Sequence, residues 1–403
     1  MKVAAYLCSL TGVLVLVLFC ALPGSSGPLS HDAYVWQRQW RPEVGIAIQQ
    51  NSDVVHAWHV LFAQIDANGS LRRVHPDVPA LLASQHPVIA VVRIETQSGH
   101  FDANALREHI LGLLSEIQAA NIPLAGIEVD HDCARSQLPR YANFLAQLKQ
   151  NLPFHLPLSA TTLPDWLESP ALPTLLSQLD ESVLQVHAVT NPRTGLFDAA
   201  QAETWASRYA AITPRPFRVA VPNYGTQLRF DAHGNLIGVQ SETPLLGQAA
   251  HIRELIVPPA QVQTLLQHLQ HKPPRLFAGV VWFRLPVADD ERGWHVGTWR
   301  AVITGRTLTQ KLEITAHQQS DPQLFDILLR NPSDIDLETP TEIALPSDCQ
   351  TADGLNGYDL VASAHAGMVL QRRQAGLFPP GQTRLIGWAR CLLPPGNSLH
   401  VRS

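Results

Sequence analysis

Between Ala33 and Gly305 the chain keeps switching between short apolar runs and longer amphipathic stretches. The strand-like runs are AYVWQR, VVHAWHVLFAQI, PVIAVVRIE, LAGIEVDHD, LPLSATTL, VLQVHAV, FRVAVPNYG and LFAGVVWFRLP. Most of the gaps between them carry helical spacing, as in NALREHILGLLSEIQAA, LPRYANFLAQLKQ, AAQAETWASRYAAI and PAQVQTLLQHLQ. In the second of these, Tyr141, Phe144, Leu145 and Leu148 follow the i, i+3, i+4, i+7 pattern of one helix face. Eight strands alternating with helices over some 270 residues predict an α/β fold of the (β/α)₈ TIM-like barrel kind. A doubly wound open sheet is the alternative, but no Gly-rich dinucleotide fingerprint follows any of the strands. No cofactor is expected.

After Gly305 the pattern changes. KLEITAH, LFDILLRN, TEIALP, GMVLQRR and TRLIGWARC are short strands broken by Asn, Pro, Gly and Asp turns, with no helix of useful length. They predict a small all-β sandwich over residues 306–403, following a barrel over residues 28–305. A short connection near Arg306 should join the two, and the Trp294–Ile303 segment should supply their contact. Between the seventh and eighth strands, FDAHGNLIG reads as a hairpin turning at Gly234-Asn235.

The first 27 residues have the layout of a secretory signal peptide. Lys2 precedes the apolar block LTGVLVLVLFCAL, and the small, turn-forming PGSSGP follows. The protein is therefore expected to be exported, to a periplasm or beyond. Contact with a membrane would come only through an uncleaved N-terminus or one lipidated at Cys20. Beyond the leader remain Cys133, Cys349 and Cys391. In an oxidising compartment cysteines tend to pair, and the two in the β region are the natural partners, leaving Cys133 as a free thiol. Net charge is −5 and the lysines number four, so nucleic acid is not an expected partner.

The chemistry gathers in LAGIEVDHD. Glu128, Asp130 and Asp132 recur at every second position of a strand and so share one face. In a barrel, C-terminal strand ends build the active site, which places these acids in the mouth if they face inward. Like charges this close cannot all ionise freely, so one pKa should rise. A protonated carboxyl beside an ionised one is what glycosidic bond cleavage requires. The expected roles are Asp132 as proton donor, Asp130 as its ionised neighbour, and Glu128 holding Asp130 through a shared proton or an arginine. The bland alternative has Asp132 capping a turn and Glu128 paired with an arginine such as Arg93. His131 should point the other way, so no metal site is expected.

These residues carry a resemblance. AGIEVDHD is similar to the fourth-strand Asp-Gly-x-Asp-x-Asp-x-Glu of family 18 glycoside hydrolases, with Gly126, Glu128 and Asp130 in matching places and Asp132 where the acid Glu would stand. VAVPNYG resembles that family's seventh-strand Gly-x-Pro-x-Tyr-Gly, which marks Tyr224. AGVVWF resembles an eighth strand ending near a substrate-stacking Trp, here Trp282. The sixth-strand Met-x-Tyr-Asp is replaced by LQVHAV, which offers Gln185 and His187. Taken with YVWQRQW, LSATTLPDWL and LIGWARC, the chain more closely resembles a bacterial family catalogued as domain of unknown function 3142. The resemblance implies a chitinase-like barrel.

Aromatic and amide groups suit the apolar faces and hydroxyl rims of sugars. Trp36, Gln37, Arg38, Trp58, His59, Trp166, Asn223, Tyr224 and Trp282 are the candidates for such a shelf, with Glu95 as a further acid. Two functions stand. One is a hydrolase acting on a polysaccharide or oligosaccharide; the other is a catalytically silent barrel that binds a glycan or an envelope partner.

Overall fold

The computed structural model describes residues 28–392 apart from 67–68, 96–101, 154–155, 188–194, 241–249, 289, 291, 309–310, 364–366 and 374–375. The expected leader, residues 1–27, lies outside the described residues. Eight strands form one parallel sheet: β1 (His31–Val35), β2 (Trp58–Ile65), β3 (Val88–Ile94), β4 (Leu124–His131), β5 (Leu158–Thr162), β6 (Glu181–Gln185), β7 (Phe217–Pro222) and β8 (Phe277–Phe283). The sheet closes because β1 pairs with both β8, His31 opposite Val280, and β2, Ala33 opposite Trp58. This closure rules out the open doubly wound sheet.

The helices are α1 (Pro42–Asn51), α2 (Val78–Ser84), α3 (Ala103–Ala119), α4 (Leu138–Asn151), α5 (Leu172–Ser177), α6 (Ala199–Ile212), α7 (Pro259–His271) and α8 (Val296–Ile303), one after each strand. Asp102 starts α3 by accepting from the Asn104 and Ala105 amides, and Asp198 starts α6 through Gln201. Alternation then sorts the strand residues. Val60, Val92, Val129, Leu184 and Val219 pack outward against the helices, while Tyr34, Leu61, Val91, Val183, Ala220 and Val281 fill the interior. Gly279 is required where β8 enters the barrel. Its φ is +143°, and a Cβ there would lie 2.6 Å from the Ser30 carbonyl oxygen.

The loop after β7 carries the expected hairpin. Thr226–Phe230 pairs antiparallel with Leu236–Gln240, and Gly234 takes a positive φ of 80° in the turn. His251–Leu255 adds a third strand on the other edge, which the sequence reading did not anticipate.

The C-terminal residues form antiparallel sheets. One has the order Glu313–Gln318, Leu324–Arg330, Thr383–Cys391, Cys349–Gly354, and a second has Glu342–Ala344, Gly367–Arg372, Tyr358–Ser363. Their inner faces share a core of Phe325, Ile327, Leu329, Ile343, Tyr358, Leu370 and Ile386. Cys349 and Cys391 are disulfide-bonded across paired strands, and Cys133 is free and buried.

The junction rests on one aspartate. Asp336 of the β domain accepts from the His295 amide (2.7 Å) and the Thr298 hydroxyl (2.7 Å), at the start of α8. Ala301, Ile335 and Leu337 pack together beneath it, and Arg306 grips Asp334 with both terminal nitrogens. Within the Trp294–Ile303 segment His295, Gly297, Thr298 and Ala301 meet the β domain. Trp294 and Trp299 instead pack on Trp282 of the barrel. Asp336→Ala leaves two donors without their acceptor, and should lower stability by about 2–3 kcal/mol. Urea unfolding should show this loss, and trypsin or a similar protease should then cut faster between residues 305 and 312. Unchanged midpoints and cleavage would show the junction lies elsewhere.

Candidate active site

The inward face of β4 carries Glu128 and Asp130, and Asp132 follows just beyond the strand. Each acid meets a different environment. Glu128 is fully buried at mid-barrel, where Oε1 accepts from the Tyr34 hydroxyl (2.6 Å) and Oε2 lies 3.0 Å from His59 Nδ1. The other ring nitrogen of His59 lies 3.4 Å from Asp32 Oδ2, and Arg218 Nη1 reaches the same oxygen at 3.2 Å. Burial pulls the His59 pKa down, but Glu128 and Asp32 outweigh it and hold the imidazole at about 9. His59 is therefore a cation sandwiched between two carboxylates. Burial and the Glu128 charge push the Tyr34 hydroxyl well up, so it stays a donor.

Asp130 sits one layer higher and is also buried. It accepts from Arg93 Nη1 (2.7 Å), the Thr161 hydroxyl (2.6 Å) and, at longer range, Gln185 Nε2 (3.4 Å). Asp132 is at the rim, its side chain 38% exposed, and its Oδ2 accepts from Arg93 Nη2 (2.8 Å). The two aspartates thus hold the two arms of one guanidinium. Desolvation by the surrounding wall and the charge of Asp130 raise the Asp132 pKa, with Arg93 opposing.

Glu128 does not perform the expected task. It neither shares a proton with Asp130 nor meets Arg93, because Tyr34 and His59 already occupy both of its oxygens. It is a core ion pair rather than a mouth acid. His131 does face away, its Nδ1 donating to the Ile94 carbonyl at 3.1 Å and its ring edge against Tyr141.

The proposed aromatic shelf divides. Tyr224, His187 and Trp36 point into the upper barrel around Phe283: His187 stacks on it at 5.5 Å, while Tyr224 (5.5 Å) and Trp36 (5.3 Å) meet it edge-on. His187 Nδ1 lies 3.2 Å from the Tyr224 hydroxyl. Arg38 also reaches this end, bonding Gln64 Oε1 at 2.9 Å and approaching Glu95 at 3.8 Å. Trp58, Trp166 and Trp282 do not. All three are buried in the layer between strands and helices, where Trp166 Nε1 donates to the Cys133 carbonyl and Trp282 Nε1 to His31 Nδ1. Trp282 shares its face with Val280, so the inward aromatic of β8 is Phe283, in step with Val281. Asn223 is also structural, its side-chain amide donating to the Arg284 carbonyl at 2.7 Å and tying the ends of β7 and β8 together.

Sequence reading missed Phe283, Tyr34, Thr161, Asp32 and Arg218. Counting by twos along each strand would have found the first four, whereas the Arg218 contacts depend on barrel closure. Arg93 was considered, but as a partner for Glu128.

Residues 84–288 match the family described as Domain of unknown function (DUF3142). The chain belongs to this family. Residues 314–392 match a second, described as Domain of unknown function (DUF8456), which coincides with the β domain. No curated protein matches the sequence. Among solved structures, the chain is similar to the Bacillus cereus spore cortex-lytic enzyme SleL, with TM-score 0.51 and 13% identity, over 72% of this chain and 77% of that one. It is likewise similar to a chitinase from Bacteroides thetaiotaomicron, with TM-score 0.51 and 10% identity, over 71% of this chain and the whole of that one. At such identities the likeness is one of fold: a glycoside-hydrolase-like barrel.

The buried His59 cation makes stability depend on pH. Its folded pKa of about 9 lies above the ordinary 6.5, so its contribution is complete below about pH 6.5 and disappears as pH rises through 9. The shift corresponds to roughly 3 kcal/mol. Urea unfolding at pH 6 and pH 10 should show a loss of that order, and His59→Gln should flatten the difference. A wild-type protein equally stable at both pH values would contradict the charged ring.

Proposed function

We propose that the protein is an exported glycoside-hydrolase-like enzyme acting on a polysaccharide, with Asp132 as general acid. The observation that carries this reading is the asymmetry between two adjacent carboxyls. Asp130 is pinned by three donors, whereas Asp132 opens to solvent with its pKa raised and only Oδ2 engaged. Arg93 orients Oδ2, which leaves Oδ1 to carry a proton to the oxygen of a departing sugar. Asp130, fixed by its donors, favours the proton on Asp132 and offsets positive charge that develops on the sugar ring. Tyr224 hydrogen-bonds the substrate, and Phe283 with Trp36 gives an apolar floor for a sugar face. The spore cortex-lytic enzyme and the chitinase among the fold neighbours support a polysaccharide as the substrate class. Export rests on the leader-like layout of residues 1–27.

One observation favours the second reading. Arg93 binds both carboxylates at once, which stabilises their ionised forms and would leave a glycan-binding barrel without a proton donor. A panel of polysaccharides assayed for new reducing ends separates the two. On a cleaved substrate, Asp132→Asn should lower turnover by roughly 10²–10⁴-fold and leave sugar binding intact. Full activity in that variant would remove Asp132 from the mechanism. If nothing is cleaved but a glycan binds and Phe283→Ala abolishes binding, the barrel is a binder.

A further inference from the structure

His187 ends the inward row Val183, Gln185, His187, and the residue is buried, with 8% relative exposure. Three features set it apart. Its Nδ1 is engaged by the Tyr224 hydroxyl at 3.2 Å, and its plane is fixed by stacking on Phe283 at 5.5 Å. Its Nε2 has no hydrogen-bond partner among the described residues. A buried ring nitrogen left unsatisfied is costly, and such groups in native proteins commonly serve a ligand or a water. With Nδ1 turned toward Tyr224, Nε2 lies on the opposite edge of the ring.

We infer that His187 is a substrate-contacting residue, a neutral imidazole whose Nε2–H donates to a sugar oxygen bound above Asp130. The inference rests on the glycan reading of the mouth and names the group that reads the sugar there. In this tautomer Nδ1 accepts from the Tyr224 hydroxyl and the ring's single proton sits on Nε2. Burial lowers the His187 pKa to about 4, with Asp130 offsetting only part of that, so the ring stays uncharged in the working range of most hydrolases. A neutral donor of this kind recognises a hydroxyl or carbonyl oxygen, and does not attract an anionic group as a cation would.

Two measurements test this. In the free protein, ¹⁵N spectra of the histidine rings, assigned with His187→Phe, should show His187 protonated at Nε2 alone from pH 6 to pH 8. A proton on Nδ1, or a charged ring, overturns the inference whether or not a ligand is known. For binding, N-acetylglucosamine tetrasaccharide and cellotetraose are the probes. Against a probe that binds the wild type, His187→Phe keeps the stack but loses the donor and should weaken affinity roughly 3–10-fold. His187→Gln, which can place an N–H near the same point, should recover most of it. Equal affinity in wild type and His187→Phe overturns the inference. A probe that shifts the Nε2 resonance without being cleaved leaves the inference standing and removes hydrolysis. Cleavage with kcat and KM unchanged in His187→Phe does the reverse.

Discussion

The cost of burying charge governs this barrel. Two carboxylates, Glu128 and Asp130, lie buried on the inner face of one strand and would each be prohibitive alone, so both must find partners before the sheet can close. The interior is organised around meeting that demand. Glu128 is met by His59 and Tyr34, and His59 in turn by Asp32, which Arg218 also approaches. Asp130 and Asp132 are met by a single Arg93. The partners come from β1, β2, β3 and β7, strands distant in sequence. The polar network therefore acts as a check on barrel register, since a one-residue slip of any of these strands would turn its partner to the helix layer.

The same pairing sets the gradient of reactivity along β4. At mid-barrel, Glu128 is saturated and sealed from solvent. Asp130 is saturated but close to the mouth. Asp132 alone keeps an oxygen available, because the strand has ended and the chain opens toward solvent. Under the proposed hydrolase reading, proton transfer in the mouth would fall to the acid with the fewest bonds. Arg93 has two opposing effects on it: orienting Asp132 and favouring its ionised form. The enzyme and binder readings differ in which effect prevails.

Much of the fold was legible in the sequence because it depends on short-range periodicity. The eight apolar runs became the eight strands, and the quoted helical stretches became α3, α4, α6 and α7 within a residue or two at each end. In the β domain, CQTADG and YDLVAS were missed; the polar composition of CQTADG resembles turn sequence, yet it pairs with the apolar TRLIGWARC. The three acids and Tyr224 were legible as a set. Their roles were not, because roles depend on cross-strand partners. Trp282 shows the difference: its identity drew attention, while its parity along β8 sends it to the helix layer and brings Phe283 inward.

The account turns on where the mouth proton resides. Carboxyl ¹³C titration of Asp-labelled protein, assigned with Asp132→Asn and Asp130→Asn, measures it directly. The account predicts that Asp132 titrates above the ordinary aspartate value near 3.9. If Asp132 titrates at or below that value, Arg93 holds both acids as anions, and general acid catalysis from this pair is contradicted.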